Sequence, residues 1–452
     1  MTCFGSPAGK RCILAGICAL LIFLLPACGS SGRENSRTAD SEGTASDRLQ
    51  ADSIPEASSS GTASSGPAPG GKDSTQTVSP DGSQTDATEP AEPAAASSAG
   101  LSDERMEEIL SSMTDEEKAA QLFIILPEDL TGVGTAVQAG DVTKKALAEY
   151  PVGGLIYMEN NIRTPEQITK MLANTRQYSL ENEKIPIFLG TDEEGGSVTR
   201  IAANDLFDVP SFPSMNKIGA AGNTETAYEL GRTIGTYLKT YGFNIDFAPD
   251  ADVLSNPENK VIGDRSFGSD PETVWNMASG MARGLEDSGV VPVYKHFPGH
   301  GATGGDTHKG LASTDKTLDE LLGDELIPFQ KAAEAGAPAI MTAHISLPSV
   351  TGDDTPASLS KSIVTGILRE RFGYQGLVMT DAMNMGAVSE NYSSKEAAVL
   401  AIEAGCDMVM MPSDFHAAYT GVLEAVASGR ITEERLNESL RRILRAKAGL
   451  FN

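Results

Sequence analysis

VVPVYKHFPGHGATGGDTH, from Val290 to His308, sets the reading of the whole chain. VVPVY is β-branched and apolar, the pattern of a parallel strand buried on both faces. Lys295 and His296 stand where that strand ends. The fourteen residues from Lys295 to His308 hold a cation, three of the five histidines and the carboxylate of Asp306. Uncompensated polar groups at the end of a buried strand cost roughly 2 to 7 kcal/mol each, so packing alone does not put them there. The Gly-rich ATGG makes a loop that brings Asp306 and His308 back toward the strand end. A histidine two residues from an aspartate is then a general acid/base pair.

Outward from this stretch the same pattern repeats. Short apolar runs lie at 121–126, 152–158, 185–192, 243–253, 290–296, 339–345, 377–381 and 407–411. Between most of them are amphipathic stretches of helical period, such as TPEQITKMLANTRQYSLE, PETVWNMASGMARGLEDSG and LDELLGDELIPFQKAAEAG. Eight strands alternating with helices over about 350 residues is the count of a (β/α)₈ barrel of the TIM type. An open doubly wound sheet has the same spacing and stays the alternative. Ser102 and Thr114, the latter with Glu117 in capping-box spacing, are read as the starts of two helices ahead of the barrel. After the eighth strand come a helix over about 415–428 and a last one over about 432–451.

The first hundred residues read differently. Lys10 and Arg11 precede a nearly all-apolar run from Cys12 to Leu25, then Leu25, Pro26, Ala27 and Cys28. This is the anatomy of a signal peptide, 1–27, too short for a comfortable membrane span. A cysteine at that point resembles a bacterial lipobox, so Cys28 is expected to carry lipid and to place the protein outside the cytoplasm on the cell membrane. Residues 28–100 are mainly Ser, Thr, Ala, Pro, Gly and acidic residues, with little to bury, and are expected to be a disordered tether. As a flexible coil the tether would have an end-to-end distance on the order of 45 Å. Residues 101–452 form the catalytic body. Of the five cysteines only Cys406 then remains, in an apolar run that marks it as core.

A formal charge of −27 argues against nucleic acid as a partner. Barrels of this class work at the carboxyl ends of their strands. Those ends read Asp192 to Gly196 with Arg200 beyond, then Asp264 and Arg265, Lys295 and His296, His344, and Asp381. Asp381 follows its apolar strand directly and should face the barrel mouth. A carboxylate there, with a separate proton donor, is the apparatus of retaining glycoside hydrolysis. His300 is read as fixing its loop, and His416 as a helix surface residue. His296 and His300 are four apart, but Pro298 and Gly299 lie between them, so the pair is not the helical spacing of a zinc site and no metal or other cofactor is expected.

LGTDEEGGSVTR (189–200), DRSFGSDP (264–271), KHFPGHG (295–301) with DTH (306–308), and VMTDAMNMGAV (378–388) resemble the motifs of glycoside hydrolase family 3, in its single-domain β-N-acetylhexosaminidase branch. The resemblance covers about 101–452 and implies a covalent glycosyl-enzyme on Asp381, with His308 as acid/base and Asp306 supporting its imidazole. It implies binding of the terminal sugar by Asp192, Arg200, Arg265, Lys295 and His296. It further implies removal of terminal N-acetylglucosamine from peptidoglycan fragments or chitooligosaccharides, without metal. Two positions depart from the pattern: Ala302 stands where the loop commonly has Asp, and Asp250 where many relatives are apolar. A family 3 β-glucosidase, a glycosidase-like phosphorylase and a noncatalytic glycan-binding lipoprotein are the other readings.

Overall fold

The computed structural model describes residues 101 to 451 apart from Glu183, His308 and Lys309. The signal peptide, Cys28, the tether and His308 therefore lie outside the described residues. Ten strands follow in chain order: β1 (Phe123–Ile125), β2 (Gly154–Ile156), β3 (Phe188–Thr191), β4 (Ile245–Asp246), β5 (Val291–Phe297), β6 (Ala312–Ser313), β7 (Ala339–Thr342), β8 (Ile345–Ser346), β9 (Leu377–Ala382) and β10 (Met408–Met410). Eight of them close a barrel in the order β1-β10-β9-β7-β5-β4-β3-β2. All of its pairs are parallel, and the seam sets Phe123 beside Val409 and Ile124 beside Met410. This is the expected TIM-type barrel, and the eight apolar runs are its strands. They are apolar throughout because outer helices cover one side and the filled interior the other.

Local chemistry starts the helices where their caps stand. The Ser102 hydroxyl accepts from the amide of Arg105, and Thr114 and Glu117 complete a reciprocal capping box. Asp270 caps the helix Pro271–Asp287, which has proline in its first turn. That helix lies tightly against Thr224–Tyr241: a Cβ on Gly231 would stand 2.0 Å from the carbonyl oxygen of Met281. Two segments depart from the sequence pattern. LDELLGDELIPFQKAAEAG is two helices, Leu318–Leu322 and Ile327–Glu334, broken at Gly323 with Pro328 opening the second turnwise run. The wide helix Ser362–Arg371, with π-type hydrogen bonding, was not anticipated.

The amino-terminal end of the barrel carries two buried charged groups. Asp407, just before β10, accepts from Ser439 Oγ at 2.9 Å and Arg442 Nη1 at 3.1 Å, and is also paired with Arg369. It thereby ties the last helix, Glu433–Ala446, to the barrel. Lys447 is fully buried; its Nζ donates to Gln121 Oε1 at 3.0 Å and lies 5.0 Å from the centre of the Phe188 ring. Burial pushes its ammonium down from 10.5 to about 7. Between those values the unfolded chain holds a proton that the folded chain lacks, so stability rises as pH climbs through the window. Lys447→Met is expected to remove about 2 to 3 kcal/mol of that rise between pH 7 and 9, read as parent minus variant in urea unfolding. Parallel pH dependence in the two proteins would contradict the assignment.

Candidate active site

At the opposite end, the carboxyl-terminal residues of β5 and β9 and the segments that follow β3 and β4 converge on one cavity of about 380 Å³. Asp192, Glu194, Arg200, Arg265, Lys295, His296 and Asp381 all line it. Its apolar wall contains Ile156, Val198 and five methionines, Met158, Met341, Met385, Met410 and Met411. Two clefts of about 480 and 510 Å³ lie between outer helices, away from the carboxyl ends of the strands; the first is lined by Lys361, Glu403, Arg430 and Arg435, and the second by Arg176 and Glu181. The cavity combines an apolar wall with a few convergent polar groups, the composition of a small-molecule site.

Lys295, at the end of β5, is 3 % exposed. Its Nζ meets Asp192 Oδ1 at 3.0 Å and Glu194 Oε1 at 2.7 Å. Arg265 forks onto the same glutamate, with Nη2 to Oε1 at 2.7 Å and Nε to Oε2 at 2.9 Å. Burial lifts the Glu194 carboxyl, but Arg265 and Lys295 outweigh it and hold the group well below its ordinary value. Burial disfavours the charged lysine, yet Glu194 and Asp192 keep its pKa above the usual range. Arg200 reaches Asp192 Oδ2 at 3.5 Å. Its loop is pinned by Glu193, whose carboxylate accepts the amides of Arg200, Ile201 and Ala202 and the Tyr237 hydroxyl. Glu193 thus holds the loop, while Glu194 faces the cavity.

The His296 ring presents Nδ1 to Asp252 Oδ2 at 2.7 Å and Nε2 to Arg265 Nη2 at 3.3 Å. Burial opposes its protonation, but Asp252 prevails and keeps its pKa above the ordinary value. Asp250 is also buried; its Oδ1 accepts the Asp252 amide at 2.9 Å, and Oδ2 lies 3.7 Å from Arg265 Nε. Burial and the neighbouring Asp252 raise its carboxyl to about 7. The ligand atoms of Asp250, Asp252 and His296 fall within 4.8 Å of one another. The Arg265 guanidinium faces both Asp250 and His296, so this acidic group is already matched to a cation.

Asp381 Oδ1 accepts the amide of Ala382 at 2.7 Å. Burial raises the Asp381 carboxyl, but His296 leads the groups that more than reverse this, and the acid is held below its ordinary value. An ionised, desolvated carboxylate facing a cavity is a competent nucleophile or electrostatic stabiliser. His344 is buried beside it, with Nδ1 at 2.7 Å from Ser358 Oγ and Nε2 accepted by the Ala382 carbonyl at 3.0 Å. Burial lowers its pKa, which keeps the ring neutral. Asp306 stands half-buried in the loop between β5 and β6. Asp264 is exposed at the rim and accepts from Ser197.

The Glycosyl hydrolase family 3 N terminal domain matches residues 114–446. The chain belongs to glycosyl hydrolase family 3. It is 32% identical over 329 residues to Beta-hexosaminidase A of Pseudoalteromonas piscicida, covering 67% of this chain and 54% of that protein. Beta-hexosaminidase LpqI of Mycobacterium tuberculosis is 32% identical over 343 residues, 74% of this chain and 83% of that one. A solved glycoside hydrolase family 3 beta-N-acetylglucosaminidase from Paenibacillus superposes with a TM-score of 0.70 at 38% identity, covering 75% of this chain and 62% of that one. The match thus spans less than two thirds of the Pseudoalteromonas and Paenibacillus family members. Glu194, Asp252 and the methionine wall were not singled out from the sequence of this family 3 chain. Glu194 was readable only as part of a charge run, and Asp252 as part of a longer strand.

Proposed function

We propose that the protein is a retaining exo-β-N-acetylglucosaminidase that removes terminal N-acetylglucosamine from peptidoglycan fragments or chitooligosaccharides. The observation that carries this reading is the Asp381 carboxylate sharing one cavity with the Asp192, Glu194, Lys295, Arg265 and His296 array. Two named hexosaminidases and a solved β-N-acetylglucosaminidase among its relatives support it. In this mechanism Asp381 attacks the anomeric carbon while the acid protonates the departing oxygen, and the same group then deprotonates the water that releases the sugar. His308 is assigned that acid/base role, with Asp306 as its carboxylate partner. Imidazole suits it because its pKa allows both donation and acceptance near neutral pH. Asp192, Arg200, Arg265, Lys295 and His296 hold the sugar hydroxyls, and the methionine wall accommodates the acetamido methyl. The same proposal includes lipid on Cys28 and a tether that holds the barrel away from the membrane.

Paired 4-nitrophenyl β-glycosides with and without the 2-acetamido group test the reading. The acetamido sugar should be favoured in kcat/KM by roughly 10²-fold or more, with no dependence on phosphate. Preference for the glucoside, or turnover that requires phosphate, would replace it with the glucosidase or phosphorylase alternative.

A further inference from the structure

The loop segment from Phe297 to Thr307 hangs from a short series of buried polar contacts that begins at His296. Asp252 is fully buried and uses both oxygens. Oδ2 meets His296 Nδ1 at 2.7 Å and accepts the His296 amide at 3.3 Å. Oδ1 accepts the His300 amide at 2.6 Å. The His300 ring, 2 % exposed, then spans two threonines, with Nδ1 3.0 Å from Thr303 Oγ1 and Nε2 3.3 Å from Thr307 Oγ1. Thr307 is itself buried, and its carbonyl accepts the amide of Ala387, a few residues beyond Asp381. The loop base is tight as well: a Cβ on Gly301 would stand 1.9 Å from the Val253 carbonyl oxygen.

We propose that Asp252 and His300 are positioning residues that fix the loop at Thr307, beside Asp306, relative to the sugar-binding ring of His296. The inference rests on the hydrolase reading above and adds how the two halves of the site keep their spacing. Thr307 follows Asp306 and precedes His308 in the chain, so holding its hydroxyl and carbonyl constrains the backbone that carries Asp306. A neutral imidazole has one donor and one acceptor nitrogen, which suits two hydroxyls that can each take either role. Burial lowers the His300 pKa and keeps it in that neutral form. An angstrom-scale displacement of an acid catalyst is costly in rate, which is why a contact remote from the reacting atoms matters.

The experiment separates loop positioning from general damage through the leaving group. Phenyl N-acetyl-β-glucosaminide needs protonation of its departing oxygen, whereas the 2,4-dinitrophenyl analogue needs little. The isosteric Thr307→Val should lower kcat/KM about 10- to 100-fold on the phenyl substrate and less than about threefold on the dinitrophenyl one. Asp252→Asn, which also disturbs His296, should lower both while shifting their ratio in the same direction. Adding Thr307→Val to Asp252→Asn should move that ratio little further, since the two act in series. Equal losses on the two aglycones, or none, in Thr307→Val with an active parent would overturn the relay alone. A parent inactive on both substrates would overturn the hydrolase reading and the relay with it.

Discussion

Asp381→Ala is expected to lower kcat/KM on an aryl N-acetyl-β-glucosaminide by roughly 10⁴- to 10⁶-fold while far-ultraviolet circular dichroism stays unchanged. The size of the effect follows from the chemistry: without the carboxylate neither the covalent intermediate nor electrostatic support for the oxocarbenium-like transition state is available. The fold is expected to tolerate the change because Asp381 stands at the carboxyl end of β9 and, among the described residues, its side chain accepts one hydrogen bond, from the amide beside it. Added azide should restore part of the turnover, entering from the face that Asp381 occupies and giving the α-glycosyl azide. A β-configured azide, or activity within tenfold of the parent, would remove Asp381 from the nucleophile's role. In the parent, the acid limb that this group sets should lie below its ordinary pKa of 3.8, since the site holds it ionised.

Glu194→Ala should destabilise the folded barrel by about 3 to 5 kcal/mol, because Lys295 and Arg265 would lose their shared counter-ion in a buried site. Glu194 is 1 % exposed, so solvent does not screen the loss. On a barrel of this size the melting temperature should fall on the order of 10 °C. Because the folded-state pKa of Glu194 is lowered, its contribution is present above about 4.5 and disappears as pH falls below that value. The gap between parent and variant in denaturant unfolding should therefore be wide at pH 7 and narrow in strong acid. A loss under about 1 kcal/mol at pH 7 would mean that Asp192 alone satisfies Lys295.

The barrel was legible because a parallel strand buried on both faces leaves an unbroken apolar run, and eight such runs are separated by helical periods. The rim residues were legible for a related reason. Asp192, Lys295, His296 and Asp381 each stand at the point where such a run meets polar sequence, and the structure gathers all four at one cavity. What the sequence concealed depends on distance along the chain. Glu194 and Lys295 are 101 positions apart, so nothing local reveals that they meet at 2.7 Å. Asp252 was absorbed into a strand read as 243–253, whereas β4 ends at Asp246 and the following segment runs beneath the loop. The methionines of the cavity wall look like core residues in sequence, since apolar periodicity does not distinguish a wall from an interior. His344 stands at a strand end like the rim residues, but its two hydrogen bonds place it in the supporting layer behind Asp381. The break at Gly323 and the wide helix at 362–371 were hidden because helical period persists through both.

The seam between β1 and β10 joins Phe123 to Val409, and so unites the first and last strands of the barrel. Until β10 has been synthesised, β1 and β9 each present an unpaired edge, the kind of surface that recruits other chains. Closure therefore waits for β10, the last strand of the cylinder in chain order.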